Sequence, residues 1–206
     1  ALPEGPAIFA NSADNTGGGA PGDNTAVLAG LLNANLRGLV LLTMVDPAAV
    51  ERGIEAGVGN VVTLELGGHA DHVFSQPVPL TAYVKTIGDG RYRYSGASYT
   101  GVEVNMGRTV VLQIGGIQVV TCELKSMTID PALYRSVGLE PREARIVVVK
   151  TASGFRLGYA DIAQAIFVLD TPGYCPPNLR SLTYTRAPRP LYPLDSENLY
   201  SGLCMG

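Results

Sequence analysis

The chain of 206 residues is long enough for one sizeable hydrophobic core. It is 46% hydrophobic and only 16% charged, against about a quarter in ordinary globular chains, so it buries much of its surface or presents it to a partner. A net charge of −3 with no basic stripe excludes nucleic acid as the main partner, and no apolar run approaches the ~20 residues of a membrane-spanning helix.

The first third alternates β and α patterns. Ala7-Ile8-Phe9-Ala10 predicts a buried strand over 7–10. Helical spacing from Val27 to Leu32 predicts a helix over 24–33, with Asp23 or Asn24 as N-cap. An apolar strand over 38–45 follows. Asp46-Pro47 then opens a second helix as cap and first position, and Gly57 and Gly59 end it. Apolar rather than alternating strands in this order predict a mainly parallel sheet covered on both faces.

The middle of the chain changes character. Segments 61–66, 80–87, 91–94, 109–114 and 117–122 are β-like, and Gly88-Asp89-Gly90 and Gly115-Gly116 are hairpin signals. Asp130-Pro131 predicts a short helix to Val137. A buried strand over 145–150, a helix over 159–165 and a last strand over 166–169 complete the pattern. The expected class is α/β: a mixed sheet with a parallel βα core in the first third, an antiparallel hairpin layer, and helices on the faces. We expect one domain over 1–206, with 171–206 as a proline-rich tail packed on it.

Cys122, Cys175 and Cys204 are odd in number and lack metal or disulfide spacing, which predicts free thiols. With no charged, apolar leader opening the chain, the expected location is the cytoplasm.

Three places carry candidate chemistry. Asp14-Asn15-Thr16-Gly17-Gly18-Gly19-Ala20-Pro21-Gly22-Asp23 lies between a strand and a helix. Consecutive glycines let a group approach the main chain, and a helix N-terminus beside them favours a carboxylate, a peptide carbonyl or a developing oxyanion. The loop fits neither the P-loop nor the dinucleotide fingerprint. Asp14 and Asp23 could act there as base, ligand orienter or amine acceptor, or simply cap the turn and helix.

Lys150-Thr151-Ala152-Ser153-Gly154-Phe155-Arg156 follows an apolar strand, so Lys150 should sit at that strand's carboxyl end, where open α/β sheets place ligands. Lys150 and Arg156 could neutralise a carboxylate or an oxyanion, and in a parallel sheet this turn and the glycine loop open on one edge. Gly67-Gly68-His69-Ala70-Asp71-His72 holds both histidines; its setting is that of an exposed loop, and no metal is expected there. Ser153 sits in no nucleophile elbow.

These residues also form a known pattern. Asp14-Asn15-x-Gly17-Gly18-Gly19-Ala20-Pro21-Gly22-Asp23, Asp46-Pro47, Ala56-Gly57-Val58-Gly59, Leu66-Gly67-Gly68, Gly115-Gly116, Asp130-Pro131, Val148-Val149-Lys150-Thr151, Phe155-Arg156 and Asp170-x-Pro172-Gly173 run from about Gly5 to Asp195. In them the chain resembles the C-terminal domain of the MlrC-like, or microcystinase C, metallopeptidases.

The resemblance implies a zinc-dependent hydrolase of small peptides or amides. Its zinc would be held by His and acidic residues of an N-terminal domain that is not in this chain. It implies Asp14, Asp23 and Lys150 as catalytic candidates and Gly17, Gly18, Gly19, Thr151 and Arg156 as substrate contacts, with no metal ligand here. The implied partners are that N-terminal domain and a small peptide, with a homo-oligomer allowed. One departure is Gly154, where the family commonly has histidine. Two other expectations compete: a non-catalytic module that binds a small anion on the glycine loop, and an assembly domain.

Overall fold

The computed structural model describes residues 5–34 and 36–195, so Cys204 and the end of the expected tail lie outside the described residues. Among the described residues ten segments become strands, most of them runs of apolar and β-branched residues. They are β1 (Ala7–Ala10), then after helix α1 (Ala26–Asn33) β2 (Val40–Val45), and after α2 (Pro47–Ala56) β3 (Val61–Leu66). There follow β4 (Val78–Gly88), β5 (Arg91–Arg93), β6 (Glu103–Asn105), β7 (Thr109–Ile114) and β8 (Ile117–Cys122). The last part holds α3 (Ala132–Arg135), β9 (Ile146–Val149), α4 (Phe155–Gly158) and β10 (Ala165–Val168).

Eight strands form one sheet in the order β10-β1-β9-β2-β8-β7-β4-β3. The first five run parallel and the last three antiparallel, which is the mixed α/β sheet expected. The parallel part is less sequential than the pattern suggests. β1 and β2 are not neighbours, because β9 lies between them, so the early strands pair with late ones. Two cores flank the sheet. One places α1 and α2 against it through Val27, Leu28, Leu31, Ala49 and Val50. The other is aromatic, with Tyr92, Tyr94, Tyr134, Phe155 and Tyr159 under α3, α4 and the small β5–β6 sheet.

Several elements differ from expectation. Gly88-Asp89-Gly90 is not a hairpin turn: β4 pairs with β3 and β7, while β5 leaves the main sheet to pair with β6. Segment 103–105 carries too few apolar residues to read as a strand alone. No helix forms over 159–165: the four-residue α4 ends at Gly158, just before it, with Phe155 buried, and Ala165 already opens β10. The glycine loop does not lead straight into a helix. One short 3₁₀ turn, Ser12–Asp14, leads into the loop and another, Thr16–Gly18, lies within it, and α1 starts only at Ala26.

The cap assignments divide. Asp46 caps α2 as expected, its carboxylate accepting from Ala49 N at 2.9 Å. Neither Asp23 nor Asn24 is the N-cap of α1, which is Thr25; Asn24 Oδ1 accepts from Ala26 N at 3.0 Å just ahead of it. Among the described residues no helix is long and apolar enough to cross a membrane.

Candidate functional site

Parallel register brings the carboxyl ends of β1 and β9 level, with Ala10 opposite Val149. The ladder continues one step further, Asn11 N donating to Val149 O at 2.9 Å. The glycine loop and the Lys150 turn therefore leave the sheet side by side.

Asp14 and Lys150 meet there. Lys150 Nζ donates to Asp14 Oδ2 at 2.5 Å and to Gly22 O at 2.9 Å. Asp14 also accepts from Gly22 N at 2.8 Å and Asn24 N at 3.0 Å. Both side chains are buried, Asp14 with 1% and Lys150 with 2% of the residue surface exposed. A buried charge is tolerated only when paired and hydrogen-bonded, and each is satisfied by the other and by the loop backbone. Gly22 is clamped from both sides by this pair. It has φ +85°, and a Cβ there would stand 2.7 Å from Val45 Cγ2.

The N–H groups of the three glycines are turned inward. Gly17 N donates to Asn15 Oδ1, Gly18 N to Asn15 O and Gly19 N to Thr16 O. What the glycines offer outward is an exposed surface without side chains.

Asp23 is buried behind the loop. Its Oδ2 accepts from Ala70 N at 2.7 Å and Asp71 N at 3.3 Å, while Oδ1 has no hydrogen-bond partner among the described residues. Asp23 thus faces the 67–77 connection and is not brought to the Asp14–Lys150 pair by any hydrogen bond of its side chain.

The two predicted turns meet at a cavity of about 360 Å³. Asn15 and Gly17 line it from the glycine loop, Thr151 and Gly154 from the Lys150 turn, and Met127 and Ile129 from between them. Ser98 and Tyr99 close it from the β5–β6 connection. Arg156 is not in this lining; it is exposed, with its guanidinium 5.5 Å from the centre of the Phe155 ring.

Sequence reasoning missed the third wall. Tyr99 is the one non-glycine residue with positive φ, +60°, among the described residues, a conformation that costs about 1–3 kcal/mol. Its connection is tied down by the buried Asp130. That carboxylate accepts from Ser95 N, Ser95 Oγ and Gly96 N at 2.9, 3.0 and 2.6 Å, and also from Ala132 N at 2.8 Å. The Asp130-Pro131 signal announced only the helix cap.

The histidines do not form a metal centre. His69 Nε2 lies 3.6 Å from Asp46 Oδ2 and 3.3 Å from Glu65 O, and His72 is exposed. The Asp71 carboxylate is taken by Val73 N, Phe74 N and Asn24 Nδ2. Among the described residues no three His, Cys, Asp or Glu side chains are placed to hold a metal ion. These residues do not fit zinc.

Comparison with known proteins places this geometry. The family model described as MlrC C-terminus matches residues 9–186. Microcystinase C of Sphingomonas sp. is 27% identical over 190 residues, covering 92% of this chain and 36% of that protein. A crystal structure from Mesorhizobium sp. BNC1, of a protein assigned provisionally as a metallopeptidase, superposes with a TM-score of 0.81 at 28% identity. That match covers 94% of this chain and 39% of the other. The chain thus spans well under half the length of both relatives.

Proposed function

The chain belongs to the MlrC C-terminus family, and on that premise we propose that it forms the substrate-contacting wall of a zinc-dependent hydrolase of small peptides or amides. The zinc and its ligands would come from a region outside this chain, an N-terminal domain of a longer protein. The lengths of the two relatives support that arrangement. The free Cys122 and Cys175 support a cytoplasmic setting.

The observation that carries the proposal is the cavity at the carboxyl edge of the sheet, lined jointly by the glycine loop and the Lys150 turn. Asn15 and Thr151 supply its polar groups, and Gly17 lets a peptide backbone lie close to the chain. Asp14 and Lys150 then serve as positioning residues, because both are buried and bonded to each other and to Gly22. Asp23, buried and bonded to Ala70 N and Asp71 N, holds the 67–77 connection against the loop. Gly17, Gly18 and Gly19 act through shape, and Arg156 through its charge at the periphery.

The longer protein with its N-terminal region should bind zinc and hydrolyse short peptides, whereas this chain alone should do neither. In that protein Thr151→Val should raise KM several-fold with zinc content and melting temperature unchanged. A longer protein that hydrolyses no peptide or amide, or a Thr151→Val variant with wild-type kinetics, would overturn the proposal.

A further inference from the structure

The substrate-wall proposal leaves open what the cavity selects, and its lining supplies a chemical answer. Of the side chains around it, Tyr99, Met127 and Ile129 are apolar in contact surface, while Asn15, Ser98 and Thr151 are polar. At about 360 Å³ the space is at the low end of the roughly 300–1,000 Å³ of small-ligand pockets, which suits one large side chain rather than an extended ligand. Gly154 contributes no side chain to fill it; a Cβ there would already stand 3.0 Å from Ile129 Cγ2.

Tyr99 is held over this space rather than folded into the core. It is 60% exposed, and its backbone sits in the left-handed region. The turn that presents it is bonded on both sides, by Gly101 N to Tyr94 O at 2.8 Å and Val102 N to Tyr99 O at 3.0 Å. Its ring lies 6.0 Å from Tyr94, which meets Tyr92 edge-on at 5.6 Å, so a row of aromatics leads from the core to the cavity mouth. Met127 is also partly exposed, at 36%. A tyrosine and a methionine on two walls of one cavity favour an aromatic or large aliphatic guest, through edge, stacking and sulfur–ring contacts.

We propose that this cavity is a side-chain specificity pocket that takes one bulky apolar residue of the peptide, with Tyr99 and Met127 as its discriminating contacts. The proposal rests on the peptide-hydrolase function but can be read separately from it.

The test uses this chain labelled with ¹³C at its methionine methyls. Met44 and Met106 are fully buried and serve as internal references for Met127. Titration with N-acetylphenylalaninamide should move the Met127 methyl signal, and N-acetylalaninamide at equal concentration should move it at least five-fold less. Tyr99→Asn removes the ring while keeping a residue that tolerates positive φ, and it should at least halve the phenylalaninamide shift.

No shift at Met127, equal shifts with both amides, or a shift untouched by Tyr99→Asn would overturn the pocket. In the longer protein, Tyr99→Asn should lower kcat/KM about ten-fold for a phenylalanine-containing peptide and less than two-fold for its alanine analogue. Equal losses on both peptides would also overturn it. A longer protein that cleaves no peptide, beside a selective Met127 shift, would sink the hydrolase function and leave the pocket standing.

Discussion

Asp14 and Lys150, 136 positions apart in the chain, meet at 2.5 Å with neither side chain more than 3% exposed. The contact joins the turn after β1 to the turn after β9 and holds Gly22 between them. Removing one member leaves the other buried without its counter-charge, so Lys150→Met should cost about 3–5 kcal/mol in urea unfolding. Adding Asp14→Asn should cost much less than the two single losses summed, a coupling at the upper end of the ~0.5–3 kcal/mol seen for touching residues. Additive losses would mean that the two side chains do not act as a unit.

Two glycines of the same loop should behave differently. Gly22→Ala forces a Cβ to 2.7 Å from Val45 Cγ2 at φ +85° and should destabilise by more than about 2 kcal/mol. Gly19→Ala meets nothing within 4 Å, although φ is +99°, and should cost only about 1 kcal/mol. Paired thermal melts compare them directly.

Asp130→Ala should remove the anchor of the Tyr99 connection and the acceptor for Ala132 N at the start of α3 together. The expected loss is about 2–3 kcal/mol, because the part-buried N–H groups of Ser95 and Ala132 lose a charged acceptor. Hydrogen exchange should quicken at residues 95–102 more than in β7 or β8. Uniform quickening would make Asp130 a general core residue.

Burial pushes the Cys122 thiol up to about 12 from an ordinary value of 9.0, with Lys150 opposing weakly. A group whose value rises on folding contributes stability that is complete below its unfolded value and lost as pH climbs toward its folded one. This thiol should therefore contribute in full below pH 9 and be lost between 9 and about 12. Cys122→Ala should flatten the alkaline limb of the stability curve there. At pH 8, maleimide labelling mapped by peptide mass should find Cys175 modified and Cys122 intact.

Strands with dense apolar runs were legible in the sequence, because β2, β8 and β9 are buried along their length. So was Asp46 as a cap, since Asp-Pro at a helix start leaves few alternatives. The meeting of the glycine loop with the Lys150 turn also followed from local signals, as both end strands of one parallel sheet. β5 and β6 were not legible: three-residue strands carry no period, and their pairing is decided by what lies across the sheet. The pairing of Asp14 with Lys150 was not legible either. A charged residue beside glycines reads as offered to solvent, and only the tertiary contact shows each satisfying the other. Tyr99 left no trace, because a positive φ in a tyrosine is imposed by the fold around it.

The position of β1 has a consequence for the order in which this chain can be made. Its neighbours on both sides, β9 and β10, begin only at Ile146 and Ala165 and are synthesised long after it. At ~5–20 residues per second, β1 waits roughly seven to thirty seconds for the ribosome to deliver them. During that wait Ala7–Ala10 has no hydrogen-bonding neighbour in the sheet it will join. A chain cut short before residue 146 keeps β2, β3, β4, β7 and β8 but leaves its first strand without a place.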